Sequence, residues 1–161
     1  MPDMLVKLYT LPDAEPFVAE QRAAGVEIRR ALVPEKYIVV DWVAKTFGQG
    51  WAAECETTFA RQPVSCFIAV ENNRVLGFSC YDATYKNFFG PIGVDPAQQG
   101  RKIGAALLVR TLQAQAAEGY AYAIIGGVGP AEFYTKTVGA ELIPDSVPGI
   151  YRGILTTESD E

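Results

Sequence analysis

Residues 93–108 read Gly93-Val94-Asp95-Pro96-Ala97-Gln98-Gln99-Gly100-Arg101-Lys102-Ile103-Gly104-Ala105-Ala106-Leu107-Leu108. The stretch combines the end of a strand, a polar loop that contains glycine, and the start of a strongly apolar helix. Free N–H groups at a helix N-terminus favour an anion, and Gly100 and Gly104 permit close approach to the backbone. The stretch matches neither the Walker pattern nor G-x-G-x-x-G, so an ordinary strand-to-helix turn with a basic surface is the alternative interpretation.

Positive charge is concentrated around this loop. Residues 83–112 contain four basic residues and one acidic residue, within a chain whose formal net charge is −5. This local excess of +3 suits a phosphorylated ligand, whereas the overall acidity argues against a nucleic-acid partner, which usually meets a basic face.

The chain has 161 residues and contains no histidine. The length is typical of one domain. Without imidazole, Ser-His-Asp and Cys-His mechanisms are excluded, as is any zinc site that needs histidine. An enzymatic acid or base must therefore be Tyr, Cys, Lys, a carboxylate or water.

The three cysteines, Cys55, Cys66 and Cys80, form no C-x-x-C pair. We expect free buried thiols, no disulfide framework, no metal and a reducing, cytoplasmic location. The first ten residues do not resemble a signal peptide and no stretch is long enough for a membrane span, so no membrane partner is expected. The acidic end, Glu158 to Glu161, is interpreted as a solvated tail.

Hydrophobic periodicity predicts alternating helices and strands. The predicted helices are residues 16–24, 35–47, 51–61, 103–118 and 131–138. The predicted strands are residues 4–11, 26–33, 64–71, 74–81, 87–94, 120–126, 141–143 and 150–155. The Asn72-Asn73 pair predicts a tight hairpin turn, and Pro91 inside a strand pattern marks an edge, a bulge or a local splay. The class is therefore α/β or α+β around one mixed sheet.

Two motifs resemble the GCN5-related N-acetyltransferase (GNAT) superfamily. The family's acetyl-CoA loop reads (R/Q)-x-x-G-x-(G/A) after a Val-x-Pro-like turn, which is similar to Val94-Asp95-Pro96 followed by Gln99-Gly100-Arg101-Lys102-Ile103-Gly104. Lys102 stands where the family usually has glycine, and its side chain either points outward or reaches a CoA phosphate.

The second motif lies downstream. The family's later helix often reads A-x-x-F-Y-x-x-x-G-(F/A), and residues 131–140 are similar, with the Phe133-Tyr134 pair followed by Gly139. The family's frequent Asn before this helix falls on Gly127, which has no side chain for that contact.

The resemblance covers about residues 26–153 and implies a GNAT domain at 26–161. Residues 1–25 are then a strand–helix extension packed on it, within one globular domain overall. The implied fold is α/β (α+β), with a mixed, mostly antiparallel sheet flanked by helices and splayed between the strands at about 88–94 and 120–126.

The resemblance also implies the cosubstrate acetyl-CoA and the residues that hold it. Backbone groups of the splayed strand would hold the thioester and pantetheine, and the loop amides would hold the pyrophosphate. The implied residues are Ile92, Gly93, Val94, Gln99, Gly100, Arg101, Lys102, Ile103, Gly104, Ala105 and Phe133.

The implied activity is acetyl transfer to a primary amine of a small molecule or peptide by direct attack. Tyr134 is the implied proton donor to the departing thiolate, because a phenol stays protonated at neutral pH. The base is open among Asp82, Glu54, Glu56 and water, and Cys55 is a weaker candidate for a nucleophile. The aromatic residues proposed to line the acceptor site are Tyr37, Trp51, Phe88, Phe89 and Tyr151.

Two alternative functions remain open: a non-catalytic acyl-CoA-binding or sensing module on the same fold, and a transferase of a longer acyl group. An exposed edge strand near the C-terminus would also allow a homodimer.

Overall fold

The computed structural model describes residues 1–157, so the predicted tail at 158–161 lies outside the described residues. The strands are β1 (Met4–Lys7), β2 (Glu27–Arg30), β3 (Cys66–Glu71), β4 (Arg74–Tyr81), β5 (Phe88–Val94), β6 (Tyr122–Ile125) and β7 (Glu141–Leu142). The helices are α1 (Glu15–Ala23), α2 (Lys36–Phe47), α3 (Gln49–Thr57), α4 (Ile103–Ala117) and α5 (Ala131–Val138).

The strands form one sheet in the order β2-β3-β4-β5-β6-β1-β7. Neighbouring strands are antiparallel except for β5 and β6, which are parallel. The predicted fold class, a mixed and mostly antiparallel sheet flanked by helices, is confirmed. Strand β1 lies inside the sheet between β6 and β7. The division of the chain at residue 25 remains a prediction.

The β3–β4 hairpin shows how local sequence sets local structure. Glu71 pairs with Arg74 across a two-residue turn. Both turn residues have left-handed backbone, with φ of 51° at Asn72 and 60° at Asn73. Asparagine tolerates this conformation better than other residues with a Cβ, and the resulting turn matches the twist of the two strands.

Strand β5 contains a bulge that opens the sheet. Between the pairs Ser79–Ile92 and Tyr81–Phe89, strand β5 carries one more residue than β4. The extra residue falls at Gly90-Pro91, where the sequence predicts a bulge or splay. Pairing between β5 and β6 is limited to Phe88–Ile124 and Phe89–Ile125, so the strands separate immediately beyond the bulge.

The helices cover both faces of the sheet. Buried side chains of α1 and α4 share a cluster with alternate residues of β3, such as Phe67 and Ala69. The remaining alternate residues, such as Cys66 and Ile68, pack with α2 and α3. This alternation is the period-two pattern of a strand buried on both faces.

The strand predicted at 26–33 extends only over Glu27–Arg30, and two further predicted strands are wrong in part or in full. Residues 150–155 form no strand; a 3₁₀ turn at Gly149–Tyr151 precedes irregular chain. Gly149 and Gly153 have φ of 61° and 74°, which interrupts an extended backbone. The predicted strand at 4–11 ends at Lys7 and continues as a 3₁₀ turn. Within residues 1–157, the edge of the sheet nearest the C-terminus is the exposed two-residue strand β7, and a homodimer remains a prediction. None of the helices in that range is long and apolar enough to cross a membrane.

Substitution of Gly93 tests the packing beneath the bulged strand. A Cβ at this position would overlap the ring of Phe47, which packs against Trp42, Trp51 and Phe78. We expect Gly93→Ala to lower the free energy of unfolding by about 2 kcal/mol, the usual cost of overpacking, in a urea titration.

Gly104→Ala is the matched control, because its Cβ would make ordinary contacts of 3.7 Å and 3.8 Å. A Gly93→Ala variant as stable as Gly104→Ala would contradict this packing.

Candidate active site

A single cleft of about 1330 Å³ opens where β5 and β6 separate. It contains every residue that the sequence assigned to the cosubstrate and the proton donor. These lining residues are Ile92, Gly93, Val94, Gln99, Gly100, Arg101, Lys102, Ile103, Gly104, Ala105, Phe133 and Tyr134. The structure brings them together; the role of each remains a prediction.

One end of the cleft is the N-terminus of α4. The first amides of any α-helix lack an intrahelical acceptor, and here the first such bond is donated by Ala106 to the Lys102 carbonyl. No acidic residue lies in the first turn, and the N-cap residue Lys102 makes no side-chain cap. The positive end of the helix dipole therefore faces the cleft without a carboxylate to satisfy it, which favours an anion.

The loop before α4 is held from α1. The buried Gln21 donates from Nε2 to the Arg101 carbonyl at 2.8 Å. The Arg101 guanidinium donates to both carboxylate oxygens of Glu71, at 3.3 Å and 2.7 Å, and to Oε1 of Gln98. The pairing with Glu71 raises the pKa of Arg101 and lowers that of Glu71. Arg101 therefore braces the loop against β3, and its side chain does not supply an unpaired charge.

Lys102 has left-handed backbone, with φ of 63°. This explains why related loops usually have glycine there, since a Cβ costs roughly 1 kcal/mol in that region. Its Nζ lies 3.7 Å from the Glu20 carboxylate and the side chain is 73% exposed. Of the two orientations open from the sequence, the structure has the outward one. The basic excess around the loop is thus offset by Glu71 and Glu20, which lie outside residues 83–112.

Tyr134 lies on α5 at the gap between the strands. Its ring is 6.5 Å from that of Phe89 and 5.1 Å from that of Phe133, in edge-on geometry. Burial raises the pKa of its hydroxyl to about 12. The hydroxyl has no hydrogen-bond partner within residues 1–157 and remains protonated at neutral pH, so it is available as a donor.

The carboxylates proposed as bases are separated by the fold. Glu54 lines the cleft, and Thr84 Oγ1 donates to its Oε1 at 2.5 Å. Asp82 is buried outside the cleft lining, where it accepts from the Asn87 amide and the Tyr120 hydroxyl. Glu56 points away and pairs with Lys36 at 3.3 Å. Only Glu54 of the three is placed to meet a substrate.

Four of the five aromatic residues proposed for the acceptor site line the cleft: Trp51, Phe88, Phe89 and Tyr151. Tyr37 does not; it is exposed on α2 beneath the Lys36 ammonium, 5.3 Å from its ring centroid. Sequence periodicity predicted that Tyr37 lies on α2, but it did not show that this side chain faces away from the cleft.

The three cysteines lie together in the core, with all sulfur atoms within 4.8 Å of one another. They are free, fully buried and outside the cleft lining. Cys66 and Cys80 are cross-strand partners and Cys55 packs from α3. Cys55 is therefore not placed as a nucleophile for a ligand in the cleft. Sequence spacing alone did not indicate the cluster, because the β3–β4 pairing creates it.

Sequence reasoning missed several residues that shape the cleft. Thr84 and Tyr85 follow β4, and the Asp3 carboxylate accepts from the Gly127 amide at 2.9 Å. Gly127, where the family often has Asn, has φ of 57°, so its backbone conformation and the Asp3 bond shape this turn. The glycine before α5 was the available sequence signal for this turn. Its partner Asp3, 124 residues away, could not be predicted from the sequence.

Comparison with known proteins places this geometry in a family. The family model for the acetyltransferase (GNAT) domain matches residues 62–137. That range includes the bulged strand, the loop, α4 and most of α5. Residues 62–137 thus match a GNAT domain, and the resemblance seen in the motifs of this chain is confirmed. No protein of curated function matches the sequence.

Similar solved structures share this fold. A glucosamine N-acetyltransferase region of a fungal multi-domain GH3 β-N-acetylglucosaminidase aligns with a TM-score of 0.72 and 14% identity, over 88% of this chain and 19% of that one. A GCN5-related N-acetyltransferase from Sphaerobacter thermophilus aligns with a TM-score of 0.65 and 18% identity, over 88% and 48%.

A GNAT family acetyltransferase from Brucella melitensis in complex with acetyl-CoA aligns with a TM-score of 0.50 and 20% identity, over 69% of this chain and 80% of that one. The chain thus spans 19% and 48% of the first two structures and most of the third.

Replacing Lys102 with glycine tests the conformation of the loop. The left-handed backbone penalises any residue with a Cβ, and the exposed pair with Glu20 contributes little. We expect Lys102→Gly to raise the free energy of unfolding by about 0.5 kcal/mol, measured by urea unfolding.

Lys102→Ala is the control, because it removes the charge but keeps the penalty. We expect it to leave stability close to that of the wild type, and a gain equal to that of Lys102→Gly would contradict the assigned backbone.

Proposed function

We propose that this protein is an acetyl-CoA-dependent N-acetyltransferase that acts on a primary amine of a small molecule or peptide. The observation that carries the proposal is the continuity of one cleft. It runs from the uncapped N-terminus of α4, through the gap between β5 and β6, to Tyr134 and Glu54.

The residues at the α4 end suit acetyl-CoA. The backbone amides from Gly100 to Ala105 would bind its pyrophosphate, since they meet the positive end of α4 and no carboxylate competes. The edge of β5 beyond Phe89 has no β6 partner, so its backbone groups are free to pair with the pantetheine amides. Gln21 and Glu71 hold this loop in place from the side opposite the cleft.

Bound acetyl-CoA would supply an acetyl thioester. The amine nitrogen would form a C–N bond to the acetyl carbon while the C–S bond breaks. The products would be an amide, the free thiol and one proton released from the ammonium. Tyr134 Oη holds the proton that the sulfur needs, because its pKa is raised to about 12 by burial. Glu54 is the carboxylate placed to receive the proton that the amine loses, with water as the alternative acceptor.

The similar proteins support N-acetylation rather than another use of the fold. One is a glucosamine N-acetyltransferase region and another is in complex with acetyl-CoA. Three buried free thiols support a reducing compartment, and we propose the cytoplasm.

Thiol release from acetyl-CoA over a panel of primary amines tests this function. We expect amine-dependent release, with about one proton liberated per thiol at neutral pH. Tight acetyl-CoA binding without release on any amine would indicate a sensing module. Faster release from longer acyl-CoA substrates would indicate another acyl group, and absence of CoA binding would contradict the proposal.

Tyr134→Phe tests the proton donor. We expect kcat to fall by about 100-fold or more, the usual contribution of a positioned acid, with the Kd of acetyl-CoA unchanged. Because the pKa of Tyr134 is raised to about 12, protonated tyrosine persists up to that pH. The wild-type kcat should therefore show no fall near pH 10 that depends on Tyr134.

Val138→Ala is the control for packing, because Val138 is buried on the same helix but lies outside the cleft lining. A kcat in Tyr134→Phe equal to that of the wild type would remove the assigned role.

A further inference from the structure

The end of the cleft remote from α4 contains few charged groups. Among residues 1–157, Glu54 is the one carboxylate in the lining. The two side-chain cations of the lining, Arg101 and Lys102, lie at the opposite end and face Glu71 and Glu20. The terminal ammonium of Met1 also lines the cleft, but it is not within ion-pair distance of Glu54. Glu54 forms no ion pair with any described residue. Its charge is therefore uncompensated within the described part of the protein and is available to one cation.

Thr84 and α3 fix the direction of Glu54. The Thr84 hydroxyl occupies Oε1 at 2.5 Å, which leaves Oε2 without a hydrogen-bond partner in the described residues. Glu54 follows Trp51 by three residues on α3, so the carboxylate and the indole share one helix face. The negative charges of Glu54 and Asp3 contribute, after burial, to the raised pKa of Tyr151. The Tyr151 hydroxyl thus lies in the same negative field.

The surrounding wall is apolar and accessible. Trp51 is 39% exposed and Tyr85 is 57% exposed, so both rings are accessible to a ligand in the cleft. The Tyr85 ring stacks near Phe88 at 5.6 Å, and Tyr151 lies over Gly126 and Gly127. The further apolar lining residues at this end are Val147, Pro148, Ile150 and Ile154.

From this juxtaposition we propose that the acceptor is a small primary amine with one ammonium group and one apolar, preferably aryl, body. Glu54 binds the ammonium through Oε2, and the apolar body packs against Trp51, Tyr85 and Phe88. This inference rests on the proposed function and names the class of its acceptor.

The same inventory argues against other amines. A polyamine would present two or more further ammonium groups to an apolar wall, and each would be desolvated without a carboxylate partner. An amino sugar would bury several hydroxyls where few hydrogen-bonding groups exist. Discrimination therefore follows from unpaired polar groups on the wrong ligand, more than from shape.

Calorimetric titration of amines into the protein saturated with CoA tests the proposal without turnover. The probes are ethylamine, n-butylamine, 2-phenylethylamine, spermidine, glucosamine and a glycine-initiated pentapeptide. We expect affinity to rise about fourfold for each buried methylene, as apolar burial predicts, with 2-phenylethylamine the tightest. The Kd of 2-phenylethylamine should rise about tenfold or more in Glu54→Gln, and by a smaller factor in Thr84→Val.

Glu56→Gln is the matched control, since it removes an equal charge from the same helix but outside the cleft. It should bind 2-phenylethylamine as the wild type does. Circular dichroism and urea unfolding establish that each variant is folded.

The outcomes separate the two proposals. Acetyl transfer to spermidine, glucosamine or the pentapeptide in preference to 2-phenylethylamine would overturn the acceptor class and leave the N-acetyltransferase function standing. Binding of 2-phenylethylamine that depends on Glu54, without acetyl-CoA binding or thiol release, would support the subsite and overturn the function. Equal binding by Glu54→Gln and the wild type would overturn the subsite.

Discussion

The separation of β5 from β6 is the constraint on which the rest of the structure depends. The two strands pair through Phe88 and Phe89 only, and the bulge at Gly90-Pro91 turns β5 away from its neighbour. In most pairs of parallel strands, the ladder of backbone hydrogen bonds continues along both strands. Where the ladder stops, backbone donors and acceptors are left without protein partners. A ligand with amides of its own can replace them, which makes the interruption a binding surface rather than a defect.

The elements around the gap place different chemistry at its ends. Helix α4 directs its positive end at one side, while α5 brings Tyr134 to the middle. Helix α3, from the opposite face of the sheet, brings Trp51 and Glu54 to the other side. In the proposed reaction, a cosubstrate anion, a thiolate leaving group and an ammonium group would meet, in order, a helix N-terminus, a protonated phenol and a carboxylate. None of these three groups requires histidine, which the chain lacks.

Local sequence signals predicted much of this arrangement. The bounds of β4 and α5 were correct, and those of α4 differ by one residue, because periodicity and turn residues are properties of short segments. The failure at 150–155 has a local and a tertiary cause. Gly149 and Gly153 have positive φ, which interrupts an extended backbone, and β1 occupies the edge of β6 that a C-terminal strand could pair with.

The charges of the site were less predictable, because the partners of the charged residues are distant in the sequence. Arg101 and Lys102 read as an anion-binding pair in sequence, but their partners lie 30 or more residues away in Glu71 and Glu20. Thr84, which orients Glu54 from 30 residues away, carried no signal either. These long-range partners pair with the two basic side chains, so the proposed anion site depends on the backbone amides of the loop.

Hydrogen exchange with and without CoA, read by mass spectrometry at peptide resolution, tests the central claim most directly. We expect slower exchange on CoA binding in peptides that span residues 90–105, where the open edge of β5 and the first amides of α4 lie. The hairpin turn at Asn72-Asn73 should be unchanged. Protection confined to another surface, or CoA binding that leaves residues 90–105 unprotected, would contradict the account.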